Sequence, residues 1–105
     1  MSRELFSLEA EYCVLGALMM DESLFDEITS KLQVADFYDL ECAALFNDII
    51  ETHAAGEPLD PVTVGVRHPV LPSGAHTIAF AGQMAKDVPS TSNWAAYAKR
   101  VIFRL

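Results

Sequence analysis

The sequence predicts an all-α domain, a compact bundle of about five or six helices. Three observations predict it. Apolar residues recur at three- and four-residue spacing through most of the chain. Asp and Ser residues stand where those stretches begin, and Gly and Pro punctuate their ends. The chain has 105 residues, 51% of them hydrophobic, which suits a single domain with one core.

The first helix is expected from Leu8 to Met20, with Ser7 as its N-cap. Glu9 and Glu11 fall in its first turns, where the helix dipole favours negative charge. Leu8, Tyr12, Leu15 and Met19, with Val14 and Leu18 beside them, make a wide apolar face. Gly16 in a helix interior costs about 1 kcal/mol against Ala, so it reads as a place where another helix comes close. A second piece starts at Asp21 and carries Leu24, Phe25, Ile28 and Leu32. A non-periodic connector, residues 34–38, follows, and its Phe37 is expected to plug the core. Asp39 is placed to cap a third helix over 40–55. Its inner face is Cys42, Leu45, Phe46, Ile49, Ile50 and His53, and Gly56 is its terminator.

Asp60-Pro61 opens a short fourth helix, since Pro suits the first helical position. Gly65, Pro69, Pro72 and Gly74 predict a loop over 65–74. A fifth helix is expected over 76–86, with Ile78, Phe80, Ala81 and Met84. Pro89 ends the connector after it. Ser90 or Ser92 then caps a last helix holding Trp94, Tyr97, Ala98, Val101 and Ile102. No stop signal follows that helix, so the chain is expected to be cut from a longer one.

Charge is unevenly spread in a chain of formal net charge −8. The first sixty residues hold fourteen acids against two bases, and the remainder five bases against one acid. Phosphate neutralisation by Lys and Arg dominates nucleic-acid affinity, so little or no direct DNA binding is expected. The acidic part is either a solvated surface or a face for a basic protein. Cys13 and Cys42 lie far apart in apolar surroundings and read as reduced thiols, as in a cytoplasmic protein. A disulfide between them stays open. No stretch approaches the ~20 apolar residues of a membrane span.

Catalytic patterns are missing. None of the five glycines is followed by Lys, so there is no recognisable phosphate-binding loop. Cys13, Cys42, His53, His68 and His76 lack the paired spacings of a zinc site. Adjacent acids such as Asp26 and Glu27 point different ways on a helix and make no catalytic pair. No catalytic, cofactor or metal residue is therefore assigned. Trp94 and Tyr97 could stack on bases, but their helical spacing favours packing.

Several segments together resemble a known family. Residues 7–11 followed by 14–21 resemble the opening helix of the N-terminal domain of DnaB-type replicative helicases. Asp36-Phe37-Tyr38 is similar to that family's connector. Leu45-Phe46 with Ile49 resembles its next helix, residues 56–60 with Val62-Thr63 its following turn, and residues 89–93 with 96–98 the start of its helical hairpin. The pattern breaks at 64–75, where the family carries a longer polar helix and a Gly-rich turn. A divergent member, such as a phage-encoded one, would show such a break.

The resemblance implies a globular head over 1–88 and the beginning of a hairpin helix over 89–105. It implies a domain that supports assembly of a hexameric helicase ring and docks primase, with a helicase loader as a further partner. The ATP- and Mg-dependent motor would lie elsewhere, and this chain would not itself be an enzyme. The alternative is a stand-alone regulator that joins or blocks a helicase ring. Trp94, Tyr97, Val101 and Ile102, with Phe103, are expected to form an exposed apolar strip for self-association. Asp26, Glu27, Asp48 and Glu51 are the candidate exposed acids for partner docking.

Overall fold

The computed structural model describes residues 2–102, with side chains from Leu8 onward. Phe103, expected at the end of the apolar strip, lies outside the described residues. Among these residues there are six α-helices and no strand, as expected of an all-α bundle.

Helix α1 spans Ser2–Met20. It starts earlier than expected, and Ser7 lies inside it instead of capping it. No Gly or Pro occurs before Ser7 to prevent the extension. Val14, Leu15, Ala17 and Leu18 are all fully buried. Their directions cover more than one face of a helix, so α1 is the central element, apolar on most sides. The second piece begins with a 3-10 turn at Glu22–Leu24, capped by Asp21, and continues as α2, Phe25–Thr29. A further turn at Val34–Asp36 delivers Phe37 into the core, its ring 4.8 Å from that of Phe46.

Helix α3, Leu40–Ala54, starts where Asp39 accepts the Cys42 amide at 3.0 Å. At its end Gly56 adopts φ +75, a conformation that L side chains resist. The Gly56 amide donates to the His53 carbonyl and the Glu57 amide to the Thr52 carbonyl. That pair of bonds is a Schellman motif, which satisfies the carbonyls left over at a helix end.

Helix α4, Pro61–Arg67, is capped by Asp60, whose carboxylate takes both the amide and the hydroxyl of Thr63. Those bonds hold the Asp60 carboxyl below its usual pKa. The helix runs on through Gly65, so the loop predicted over 65–74 starts later, after Arg67. Helix α5, Thr77–Asp87, supplies the reason. A Cβ at residue 65 would run into the Ile78 side chain, so glycine lets α4 and α5 touch. Gly16 meets the other side of α5, where a Cβ would stand 2.5 Å from the Met84 carbonyl oxygen. The close approach expected at Gly16 is therefore present.

Residues 68–76 form a short loop. The Leu71 amide donates to Ala75, and the Thr77 amide donates to Pro69. Glu41 at the start of α3 receives the amide and hydroxyl of Ser73, each at 2.9 Å. A last 3-10 turn, Thr91–Asn93, leads into α6, Trp94–Ile102. The Ser90 side chain makes no capping bond to that turn, and its hydroxyl pairs with that of Ser92 at 2.8 Å. Helix α6 lies along α1 and contributes Ala98 and Val101 to the common core.

Candidate functional site

The residues nominated from sequence fall into two groups, and the structure divides each. On α6, Val101 is fully buried at 0% exposure. It packs inside this molecule, so it offers nothing to another copy. Trp94 and Tyr97 are half-buried against the same core, and Ile102 is 39% exposed. The expected open apolar strip is thus largely closed by α1. The reason is geometric: α6 turns Ala98 and Val101, three apart, toward α1.

Among the acids, Asp26 and Glu27 are exposed on α2. The Phe25 ring stacks on His53, centroids 3.7 Å apart, and so lays α2 against the end of α3. Glu51 is also exposed. Asp48 is not: it is 9% exposed and turned toward α4. Its burial corrects the expectation of a fourth surface carboxylate. His68, the residue after α4, sits between the two acids of α3. Its Nδ1 is 3.4 Å from Asp48 Oδ1, and its Nε2 is 3.1 Å from Glu51 Oε1. Burial pushes the Asp48 carboxyl up to about 6; the His68 charge opposes that rise and the Glu51 charge adds to it.

Two shallow grooves flank α1. One, of about 250 Å³, lies against α5 between Tyr12, Phe80, Met84 and Val88. The Tyr12 and Phe80 rings meet edge to face at 5.9 Å. The other, about 260 Å³, lies against α6 between Glu9, Pro89, Tyr97 and Arg100. Cys13 belongs to both walls. Burial, then Glu9, raises its thiol pKa, and burial raises that of Cys42 further. Neither is an activated nucleophile, and both are free cysteines. Among the described residues no group of three or more His, Cys, Asp or Glu is arranged to hold a metal ion. No helix among them is long and apolar enough to cross a membrane.

Glu11, expected only to complement the dipole of α1, has a further role. Glu11 is 0% exposed, and its carboxylate accepts the amides of Tyr38 at 2.7 Å and Asp39 at 3.1 Å. It pins the 37–39 connector, and with it the start of α3, to α1. The signal was present. Glu11 is three after Leu8 and four before Leu15, inside the apolar stripe.

Among the described residues the arrangement is thus a helical bundle with exposed acids on α2 and grooves beside its central helix. Residues 3–102 match the family described as DnaB-like helicase N terminal domain, and the chain belongs to that family. It is 32% identical over 94 residues to the replicative DNA helicase DnaB of Buchnera aphidicola subsp. Baizongia pistaciae (strain Bp), covering 88% of this chain and 20% of that one. It is 31% identical over 97 residues to the replicative DNA helicase DnaC of Bacillus subtilis (strain 168), covering 90% and 21%. The fold is similar to the crystal structure of the N-terminal domain of DnaB helicase from Mycobacterium tuberculosis. The TM-score is 0.82 at 26% identity, over 92% of this chain and 71% of that one. The chain spans about a fifth of the length of the curated helicases it matches.

Proposed function

We propose that this domain serves assembly and protein docking in a hexameric replicative helicase, supporting the ring and receiving primase at the replication fork. The observation that carries this reading is the family match over residues 3–102. The chemistry agrees. Unwinding needs a phosphate-binding motor, and the sequence holds no Gly-rich loop followed by Lys. The motor that binds ATP and Mg belongs to another part of the parent helicase, and a helicase loader is a further partner. The docking acids are Asp26, Glu27 and Glu51, which water reaches in this structure. An acidic face favours a basic partner and adds salt-dependent attraction.

Self-association is expected through the exposed part of α6, Ile102, together with the half-buried Trp94 and Tyr97. Sedimentation equilibrium of the 105-residue chain tests it. A dimer at high concentration that Tyr97→Asp weakens is the expected result. A strict monomer, or nucleotide turnover by the chain alone, overturns the reading.

A further inference from the structure

The loop at 68–76 is tied to α3 at two places. Glu41 holds its far end through Ser73, as described above. Its near end meets α3 through His68, between Asp48 and Glu51, while Leu71 anchors the loop's middle in the core. Those two acids are three residues apart on α3 and so share a face.

We infer that Asp48, Glu51 and His68 form a proton-operated clasp, which fastens the near end of this loop to α3 while the three side chains hold one proton beyond the N–H of neutral His68, and loosens when that further proton leaves. The argument starts from donor counting. An ionised carboxylate only accepts hydrogen bonds, and a neutral imidazole has a single N–H. Neutral His68 therefore turns one unprotonated ring nitrogen toward a carboxylate, acceptor against acceptor, at 3.4 or 3.1 Å. One further proton is needed, either on the ring or on the Asp48 carboxyl. With the proton on the ring, both nitrogens carry an N–H and each faces a carboxylate. With it on Asp48, the carboxyl donates to Nδ1 and Nε2–H points to Glu51. Either arrangement removes one negative charge from the cluster.

Burial makes the count matter. Nε2 is shut off from water, and its contact with Glu51 is close but not aligned as a hydrogen bond. Asp48 has almost no water to compensate it, and burial places its carboxyl at about 6. The charges acting on Asp48 are those of His68 and Glu51. Most other charged groups on the surrounding elements have partners of their own. Arg67 pairs with Glu57 at 3.4 Å, and Asn47 holds Glu51 from the same helix. Helix α1 brings Glu11, given to the Tyr38 and Asp39 amides; the 34–36 turn brings Asp36, given to the Gln33 amide. Helix α5 brings Asp87, bonded to Gln83, and His76 at its start.

The test is an NMR pH titration of the 105-residue chain, following the Asp48 carboxyl carbon, the His68 ring and amide exchange together. Between about pH 5 and 8 the Asp48 and His68 signals should report one common transition. Across it the Leu71 and Thr77 amides should lose about tenfold protection, after correction for intrinsic exchange. In His68→Gln the protection should lose its pH dependence. The wild-type titration decides alone where that variant does not fold. A His68 ring that titrates without any response at Asp48 overturns the clasp, as does loop protection that stays constant over the range.

Discussion

Two glycines sit inside helices and should respond to the same substitution with opposite signs. Alanine is the better helix former by about 1 kcal/mol. At Gly82, in the middle of α5, nothing lies within 4 Å of an added Cβ. Gly82→Ala should therefore stabilise the fold by about 0.5–1 kcal/mol. At Gly16 the new methyl would stand 2.5 Å from the Met84 carbonyl oxygen and 3.0 Å from its carbon. Those are backbone atoms and cannot rotate aside, so α1 and α5 must separate. Overpacking of this kind costs about 1–3 kcal/mol, offset by the propensity gain of about 1 kcal/mol. Because the obstacle is backbone, the upper part of that range applies, about 2–3 kcal/mol, and the net loss is about 1–2 kcal/mol. For a domain of this size that lowers Tm by about 4–16 °C. Urea and thermal unfolding of wild type, Gly16→Ala and Gly82→Ala, compared at one pH, measure both effects. A Gly16→Ala domain as stable as wild type would refute the packing of α1 on α5.

Other substitutions probe the remaining contacts. Glu11→Ala removes the acceptor of the part-buried Tyr38 and Asp39 amides, and should lower unfolding free energy by about 1–3 kcal/mol in urea titrations. The exposed neighbour Glu9, changed to Ala, should stay within about 0.5 kcal/mol of wild type. Val101→Ala should cost about 2–3 kcal/mol for a fully buried side chain, whereas Ile102→Ala should alter stability by less than about 0.5 kcal/mol and act instead on sedimentation. Asp48 carries a pH signature of definite sign. Its folded carboxyl lies near 6, above the ordinary 3.8, so the folded state holds a proton that the unfolded chain has released. The stabilisation is complete below about pH 4 and fades as the pH rises through about 6. Asp48→Asn should flatten that part of the stability profile, and an unchanged slope would contradict the burial of this carboxyl.

Most of the helical framework was legible because its signals are local. Asp39, Asp60 and Asp21 accept amides two or three residues ahead, as their positions before apolar runs implied. Gly56 ends α3 in the conformation its spacing suggested. Phe37 plugs the core against Phe46. What failed depended on partners distant in sequence. Gly65 looked like a breaker, yet α5 makes glycine necessary there within a helix. Val101 and Asp48 looked like surface residues until α1 and α4 covered them. The site was less legible than the fold. Asp26, Glu27 and Glu51 are exposed as expected, but no local pattern announces that His68 will stand between Asp48 and Glu51. That cluster joins two residues of α3 to the residue that follows α4, where Pro69 keeps His68 out of the helical conformation.

The proposal on which the rest depends is that this helical domain is bound by another protein. The direct measurement is a calorimetric or fluorescence titration of the 105-residue chain with its cognate primase, at low and high salt. The expected result is saturable binding that weakens with salt and weakens further in Asp26→Lys/Glu27→Lys, with the helical content unchanged by circular dichroism. An isotherm that stays flat at about 100 μM chain, well above the micromolar range of ordinary docking domains, or an affinity indifferent to the charge reversal, would contradict it.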